Sequence, residues 1–398
     1  MSSHAPKAAT DDGRPLHVGL NLFHVAPSAG GSLTYARELI RGLLAVEPRT
    51  QITAFATEQL PASFSEPSWA GSVDWVRMPG RVTEGRPWNS ALALWSQWVL
   101  EPGHTRARRV DVLHGLANAV APLSRVPTVA TILDLIWMHY RGTMRRRDEL
   151  GMQVVARASA RRADRLIAIS AAGRDDLVRT LGVDFDRVDV TPLGVRPRGA
   201  APATPERELR ERLVLGRGRI VLCVAQKRVH KNLDGLVRAI GMVAAEDAIL
   251  VLPGGATPYE DELRKLAAAR GVEQRLRFLG FVSGADLEGL YEAAACFVLA
   301  SKLEGFGLPI VEAMQHGVPV ACSNVSALPE VAGDAALLFD PLDDSAIAAA
   351  IDRLLADGEL VAELVRRGRE RCAQLTWEQT ARATLASYRR AIAQRASD

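Results

Sequence analysis

Residues 301–317, SKLEGFGLPIVEAMQHG, have the types and spacing of a segment that binds a phosphorylated ligand. Gly305 and Gly307 allow the backbone to turn tightly and to approach a ligand closely. Pro309 suits the first position of a helix, and Gly317 suits the position that ends it. Because the first turn of a helix carries unpaired N–H groups and the positive end of the dipole, this segment predicts a phosphate site.

Two carboxylates accompany this phosphate site, Glu304 in the loop and Glu312 one turn into the helix. They lie eight residues apart and can both face the same ligand. Because an ionised carboxylate only accepts hydrogen bonds, we expect the two groups to hold hydroxyls and not the phosphate itself. Phosphate together with hydroxyls at two points indicates a nucleotide sugar as the ligand.

The order of motifs along the chain resembles that of the retaining GT-B glycosyltransferases, specifically glycosyltransferase family 4. The two glutamates with seven residues between them stand in EGFGLPIVEAM, followed by GVPVACSNVSALPEVAGDAALLFDP. An early GG loop, ADRLIAISAAGRDDL, VTPLGV, HKNLDGLVRAI, RLRFLGFVSGADLEGLYEAAACFVLAS and TWEQTA occur in the expected order. The resemblance covers nearly the whole chain and implies transfer of a sugar from a nucleotide-diphosphate sugar to a hydroxyl acceptor, with retained anomeric configuration.

Strands alternate with helices in both halves of the chain, which predicts an α/β protein with doubly wound parallel sheets. The resemblance implies the GT-B fold, in which two Rossmann-like domains face each other across a cleft. We expect a disordered tail at 1–15, an acceptor-binding domain at 16–195, a linker at 196–205, a nucleotide-sugar-binding domain at 206–378, and a C-terminal helix at 379–398 that crosses back to the first domain.

Composition and charge exclude several classes of protein. The 398 residues are 48% hydrophobic and 24% charged, as in a globular chain long enough for two domains. A net charge of +3 does not indicate nucleic-acid binding. The first fifteen residues lack the apolar core of a secretory signal, and no run approaches the ~20 apolar residues of a membrane span. The four cysteines are widely spaced, and we expect them to be buried and reduced. Together with the lack of a predicted signal or membrane span, they predict a cytoplasmic protein.

The resemblance assigns roles to three side chains of the second half. Lys231 matches the lysine that binds the donor diphosphate and steadies it as it leaves. Glu312 matches the residue that binds the ribose hydroxyls, and Glu304 matches the one that contacts hydroxyls of the transferred sugar. The same resemblance implies main-chain contacts to the sugar and phosphates from Gly305, Phe306, Gly307 and Leu308, and to the base from Phe281 and Val282.

The segment QKRVHKN, residues 226–232, departs from the family pattern. Many members carry an arginine five or six residues before the lysine, where this chain has Ala225 and Gln226. Arg228, or Lys227, is a candidate to take over its role. A cation in this loop would stabilise the negative charge that the leaving group gains in the transition state, so Arg228 is predicted to act with Lys231. A solvated loop edge is the alternative.

The segment VATILDL, residues 129–135, departs as well. Many members carry a histidine there, just after a strand, which contacts the donor sugar near its C6 hydroxyl. This chain has Leu133, followed by Asp134. Since leucine cannot hydrogen-bond, one interpretation is a donor without a 6-hydroxyl, such as a 6-deoxyhexose or a pentose. The alternative is an alignment slip by a residue or two, or replacement of the histidine by Asp134 or His139.

Gly30 and Gly31 follow the first predicted strand and precede a helix predicted from about residue 32. This position suits backbone contact with a phosphate or an acceptor, and the resemblance implies that the loop approaches the donor diphosphate. A plain tight turn is the alternative.

No cofactor beyond the donor is predicted, and transfer is expected to be metal-independent, because no Asp-x-Asp pair stands at a predicted strand end. The arginine-rich segment 141–162 predicts either contact with anionic lipid or a phosphorylated acceptor, or a solvated helix face. The acceptor itself is open among polysaccharide, lipid-linked saccharide and natural product. Two other functions compete: a carbohydrate-phosphate enzyme on the same fold, and a non-catalytic nucleotide-sugar-binding paralogue that supports a partner glycosyltransferase.

Overall fold

The computed structural model describes residues 14–23, 30–57, 64, 68–79, 100–118, 120, 124–140, 146–196 and 202–397, with the backbone alone at 107, 146–148 and 152. The chain divides into two compact units. The first comprises Met1–Leu135, Met144–Gly194 and Trp377–Asp398, and the second comprises Ile136–Thr143 and Val195–Thr376. Each half of the sequence therefore contributes most of one unit, with one short exchange in each direction.

The first unit is built on a seven-stranded sheet in the order β3-β2-β1-β4-β5-β6-β7. Its strands are β1 (His17–Asn21), β2 (Gln51–Thr57), β3 (Val73–Met78), β4 (Val112–Gly115), β5 (Thr128–Ile132), β6 (Arg165–Ala168) and β7 (Val188–Val190). Every pair of neighbours is parallel. The central strands β4 and β5 are buried at every position, as expected for a parallel sheet covered on both faces.

The second unit repeats this arrangement with six parallel strands in the order β10-β9-β8-β11-β12-β13. The strands are β8 (Arg219–Leu222), β9 (Ala248–Leu252), β10 (Leu276–Phe278), β11 (Ala294–Leu299), β12 (Val320–Ser323) and β13 (Ala336–Phe339). In both sheets the strand order reverses once, between β1 and β4 and between β8 and β11. Ligands of open α/β sheets bind at the carboxyl ends of the strands at such a reversal.

Helices separate the strands in both units. In chain order they are α1 (Gly30–Val46), α2 (Glu101–Ala107), α3 (Ile136–His139), α4 (Arg146–Arg162), α5 (Ala171–Leu181), α6 (Glu206–Arg212), α7 (Leu233–Ile240), α8 (Pro258–Arg270), α9 (Gly284–Ala293), α10 (Leu308–Gln315), α11 (Leu328–Ala332), α12 (Asp344–Ala356), α13 (Gly358–Gln374) and α14 (Trp377–Ser397). No helix of the described residues is both long and apolar enough to cross a membrane. The predicted pair of doubly wound parallel sheets is confirmed.

The last helix, α14, packs against the first unit. The Trp377 ring lies 6.3 Å from the Tyr35 ring of α1. A buried hydrogen bond of 2.7 Å joins the Tyr388 hydroxyl to His114 Nδ1 on β4. Gly42 of α1 faces the backbone of α14, since a Cβ at this position would lie 2.7 Å from the carbonyl oxygen of Trp377. Small and aromatic side chains thus let the two helices approach closely.

Three boundaries differ from those predicted. The last helix begins at Trp377 and not at residue 379. Ile136–Thr143, expected in the first domain, groups with the second unit, where the Tyr140 ring lies 5.6 Å from the His230 ring. The predicted loop that carried Gly30 and Gly31 is in part helical, because α1 begins at Gly30. Residues 1–13 of the predicted tail and 197–201 of the predicted linker lie outside the described residues.

Candidate functional site

The loop between β11 and α10 has the backbone geometry that its glycines and proline indicate. Gly307 precedes the helix with φ +100°, and a Cβ there would lie 2.5 Å from Leu328 Cδ2, so only glycine fits. Pro309 occupies the first turn. Gly317 follows the helix with φ +73°, in the left-handed region that glycine favours. The N-terminus of α10 therefore lies at the carboxyl end of β11, beside the reversal of the strand order.

Lys231 and Glu304 form an ion pair at this reversal. Lys231 ends a single 3-10 turn, Val229–Lys231, that follows β8, and Glu304 lies in the loop that follows β11. The Lys231 Nζ atom lies 2.6 Å from Glu304 Oε1, with the two side chains 17% and 9% exposed. Because β8 and β11 pair directly, the sheet itself brings together two residues that are 73 positions apart in sequence.

Two serines hold Glu304 in place. The Ser301 hydroxyl donates to Glu304 Oε1 over 2.6 Å. The Ser326 hydroxyl donates to the Glu304 carbonyl over 2.6 Å and accepts from the Glu304 N–H over 3.1 Å. Sequence reasoning did not identify either serine, although Ser301 stands only three residues before Glu304. The carboxylate is therefore fixed on both its side chain and its backbone.

Glu312 lies in a separate hydrogen-bond network. Its Oε2 atom accepts from the Tyr291 hydroxyl over 2.9 Å. The His316 ring stacks on the Tyr291 ring at 4.9 Å, and His316 Nε2 lies 2.8 Å from Glu288 Oε2. Arg196 Nη2 lies 3.2 Å from the other Glu288 oxygen. Burial raises the pKa of Glu312, while the hydrogen bond from Tyr291 opposes that rise.

The basic cluster at 226–232 divides into residues with different environments. Arg228 is half-buried, and its Nε donates to Gln226 Oε1 over 2.9 Å. Lys227 is wholly buried; its Nζ donates to the Leu279 carbonyl over 2.7 Å and lies 3.2 Å from Glu260 Oε2. Lys227 is therefore not available to replace the missing arginine, which corrects that part of the prediction. Lys227 is buried because two other loops surround it and accept its hydrogen bonds. No local sequence pattern reveals these contacts.

His230, beside Lys231, was not predicted to have a role. It is 4% exposed, and its Nδ1 atom has no hydrogen-bond partner among the residues that the structure describes. Burial and the Lys231 charge lower the pKa of His230 to about 4, so the imidazole is neutral at physiological pH. A neutral ring beside Lys231 adds no second positive charge to the site.

The remaining predicted residues of the second unit lie after β10, or between β11 and the first turn of α10. In the second unit, Phe281 and Val282 follow β10; the Phe281 side chain is 84% exposed, and Val282 is half-exposed. Gly305 and Phe306 are buried and Leu308 is half-buried.

In the first unit, Leu133 and Asp134 directly follow β5 and are both half-buried. The Leu133 N–H donates to Asn118 Oδ1 over 3.1 Å. Gly30 and Gly31 are exposed in the first turn of α1, and a Cβ at either would meet no atom of the described residues within 4 Å. Packing against the described part of the chain therefore does not require glycine at these two positions.

No group of three or more His, Cys, Asp or Glu side chains in the described part of the chain is arranged to hold a metal ion. The four cysteines are free; Cys223, Cys296 and Cys322 are buried, and Cys372 is half-buried.

Two family models match the chain. The model described as "Glycosyl transferases group 1" matches residues 205–371, and the model described as "Glycosyl transferase 4-like domain" matches residues 30–194. The first lies within the second unit and includes Lys231, Glu304 and Glu312.

One curated relative is the O-antigen chain mannosyltransferase B of Escherichia coli, 35% identical over 231 residues. The match covers 56% of this chain and 60% of the relative, so the chain spans less than two thirds of that protein's length. Among solved structures, sucrose-phosphate synthase from Thermosynechococcus elongatus has a TM-score of 0.73 at 24% identity, covering 94% of this chain and 98% of the other. HepE of Anabaena, in complex with UDP and glucose, has a TM-score of 0.70 at 20% identity, covering 94% and 100%.

Proposed function

Because the chain belongs to the group 1 glycosyl transferases and has the GT-B fold, we propose that it transfers a sugar from a nucleotide-diphosphate sugar to a hydroxyl acceptor with retained configuration. The observation that carries the proposal is the meeting of Lys231, Glu304 and the N-terminus of α10 where the strand order of the second sheet reverses. One cation, one carboxylate and a helix N-terminus match the phosphates and hydroxyls of such a donor.

Charge complementarity supports this choice of ligand. The Lys231 ammonium is paired with the Glu304 carboxylate at 2.6 Å. A diphosphate would offer Lys231 a doubly charged partner and would free the Glu304 carboxylate to accept from sugar hydroxyls. Glu312 would accept from the ribose hydroxyls, with Tyr291 fixing its orientation. The complex of HepE with UDP and glucose is consistent with a ligand of this class.

The reaction proceeds by front-face attack, assisted by the leaving phosphate. The C1–O bond to the diphosphate breaks, the acceptor oxygen bonds to C1 on the same face, and the acceptor proton passes to a phosphate oxygen. Lys231, with Arg228, stabilises the charge that develops on the leaving group, where a fixed cation acts most strongly in the transition state. No protein nucleophile, cofactor or metal ion is needed, and activity is expected to survive EDTA.

Two donor classes follow from different observations. Leu133, half-buried after β5, cannot hydrogen-bond a 6-hydroxyl and favours a 6-deoxy sugar. The Escherichia coli relative, a mannosyltransferase by name, favours mannose. GDP-mannose and GDP-rhamnose of the D series differ only at O6, so their relative kcat/KM separates the two classes. A clear preference for GDP-mannose would reject the 6-deoxy donor.

Peripheral contact with anionic lipid is proposed for α4. Leu150 and Val154 are 63% and 56% exposed, and Arg157 and Arg161 follow on the same helical face. Apolar residues flanked by arginines suit the surface of an anionic bilayer. We expect the protein to sediment with vesicles that contain phosphatidylglycerol but not with phosphatidylcholine vesicles. Equal sedimentation of an Arg157→Gln/Arg161→Gln variant would reject this role and favour a solvated face.

A non-catalytic paralogue that binds the nucleotide sugar is the second candidate, and Gln226 in place of the expected arginine favours it. Thermal unfolding with UDP-, GDP- and dTDP-linked sugars tests both functions, since a ligand of the folded state raises the melting temperature. We expect a shift with one nucleotide family that is lost in Glu312→Ala. Binding without turnover of any offered acceptor or water would favour the second candidate, and no binding at all would reject both.

A further inference from the structure

The ammonium group of Lys227 lies at the centre of three loops of the second unit. The side chain is 0% exposed, and its Nζ donates to the carbonyl oxygens of Gly254, over 2.5 Å, and Leu279, over 2.7 Å. Glu260 of α8 places a carboxylate oxygen 3.2 Å away. These partners follow β9 and β10, while Lys227 itself follows β8, so one side chain joins the carboxyl ends of three adjacent strands.

Further contacts fix the same loops. The Thr257 hydroxyl donates to the Lys227 carbonyl over 2.6 Å. The Gly254 N–H donates to the Gly280 carbonyl over 3.1 Å, which links the loops after β9 and β10 directly. Gly254 has φ +140°, and a Cβ there would lie 2.5 Å from the Ala225 carbonyl, so the three loops approach too closely for another residue. The cluster formed by Lys227, Gly254, Thr257, Glu260 and Leu279 is hereafter called the lysine cluster.

Phe281 adjoins both loops whose carbonyls accept from Lys227. Leu279 precedes Phe281 by two residues in the chain. On the other side, the Phe281 ring lies against Gly255, the neighbour of Gly254; a Cβ at Gly255 would be 2.7 Å from Phe281 Cε2. The ring is nevertheless 84% exposed, so packing alone holds it weakly. Its position is set by two loops, and Lys227 ties both.

A buried ammonium is a costly way to stabilise a fold. Desolvation lowers the pKa of Lys227, and a well-packed apolar side chain of similar volume often serves stability as well or better. An ammonium does what an apolar group cannot: its several N–H donors fix carbonyls on separate loops in one geometry. The contacts therefore point to control of loop position.

We propose that Lys227 is a positioning residue for the nucleobase: it fixes the Phe281 ring and the adjoining backbone, and so sets which base is bound without touching it. The inference rests on the proposed function, in which a nucleotide sugar occupies the second unit. Exposed aromatic faces bind bases by stacking, and the strength of that contact depends on placement of the ring.

The test compares the affinities of UDP, GDP, dTDP and inorganic pyrophosphate by titration calorimetry for the wild type and for Lys227→Met. Methionine keeps the buried volume, and Glu260 keeps Arg264 at 2.6 Å as its partner. We expect the preferred nucleotide to bind about tenfold more weakly, the ratio between nucleotides to approach one, and pyrophosphate affinity to change little. Lys265→Met, which alters an exposed lysine of α8, is the matched control and should retain wild-type ratios.

Glu260→Gln is the second variant, used in the same titrations if Lys227→Met does not fold. It retains the shape of the cluster and removes the negative charge beside the Lys227 ammonium. We therefore expect the same changes in nucleotide affinity, but smaller ones. Two results would overturn the inference but not the proposed function. One is a set of affinity ratios between nucleotides that stays at wild-type values in the folded variants. The other is an equal loss of affinity for pyrophosphate and for nucleotides. A wild-type protein that binds no nucleotide would overturn the proposed function together with the inference.

Discussion

Lys231 Nζ and Glu304 Oε1 lie 2.6 Å apart, although the resemblance assigns the two residues to different parts of one donor. The pair joins the ends of β8 and β11, and the Ser301 hydroxyl donates to the same carboxylate oxygen. Each group thus lies where, in the proposed function, the ligand group of the other would bind. Binding of such a donor would exchange this contact for two new ones.

Lys231→Met is expected to lower kcat/KM by about 100-fold or more, because the variant loses the cation that stabilises the leaving diphosphate. Activity with a nucleotide sugar, measured as release of nucleoside diphosphate, checks this. Lys265→Met changes the same residue type at an exposed position of the same unit and should retain activity. A variant at Lys231 with undiminished kcat/KM would remove this residue from the mechanism.

Glu304→Gln is expected to act in opposite directions on two ligands. Without the carboxylate beside it, Lys231 should bind pyrophosphate several-fold more tightly, since it no longer exchanges one anion for another. Turnover of the nucleotide sugar should fall, because the amide is a weaker acceptor for sugar hydroxyls. Calorimetry and the release assay measure the two effects, with Glu262→Gln on the exposed face of α8 as reference. If pyrophosphate affinity and turnover both fell, Glu304 would not compete with phosphate for Lys231.

The pH dependence of nucleotide binding is expected to report Glu312. Burial raises the pKa of this carboxyl, so as pH falls it takes up a proton sooner than an ordinary glutamate. The protonated form accepts ribose hydroxyls less well, and affinity should therefore decrease towards acidic pH from a higher midpoint than usual. Tyr291→Phe removes the hydrogen bond that opposes the rise and should move the midpoint further up.

Titration of nucleoside diphosphate binding across mildly acidic to neutral pH locates this midpoint. Tyr259→Phe serves as the reference variant, because its hydroxyl bonds Asp234 and not Glu312. An unchanged midpoint in Tyr291→Phe would assign the pH dependence to another group.

Gly42→Ala is expected to destabilise the protein by about 1–3 kcal/mol, as is usual for an added methyl group in a tightly packed contact. The new Cβ would lie 2.7 Å from the Trp377 carbonyl and would force α1 and α14 apart. A Cβ at Gly103 in α2 would meet no described atom within 4 Å, so Gly103→Ala is the matched control. Chemical denaturation monitored by tryptophan fluorescence compares the two. If the two variants had the same free energy of unfolding, α14 would shift to accommodate the added methyl group without cost.

Local patterns in the sequence were sufficient for much of the second unit. The strand Ala248–Leu252 consists of five apolar residues between turn-forming segments, so the local sequence is sufficient to indicate it. The limits of α10 followed from Gly307, Pro309 and Gly317, whose backbone preferences act locally. The strand Ala336–Phe339 is harder to recognise from the sequence, since it has four residues, of which only Phe339 is buried.

The buried state of Lys227 could not be predicted in the same way. A lysine in the segment QKRVHKN reads as one of several solvated cations. Its burial depends on carbonyls 27 and 52 residues further along the chain, which only the strand order brings near. The Lys231–Glu304 pair likewise depends on the pairing of β8 with β11. Spacing shows which groups are available, and the sheet decides which of them meet.

The discontinuous make-up of the first unit has a consequence for synthesis. Its sheet is complete by Val190, yet α14, the helix that contacts Tyr35 and His114, is encoded some 180 residues later, at Trp377–Ser397. While the ribosome makes the second unit, the surface of the first that α14 later covers stays exposed and open to chaperones. The first unit can therefore complete its fold only after the second has been made, whereas an N-terminal domain usually matures before the next one emerges.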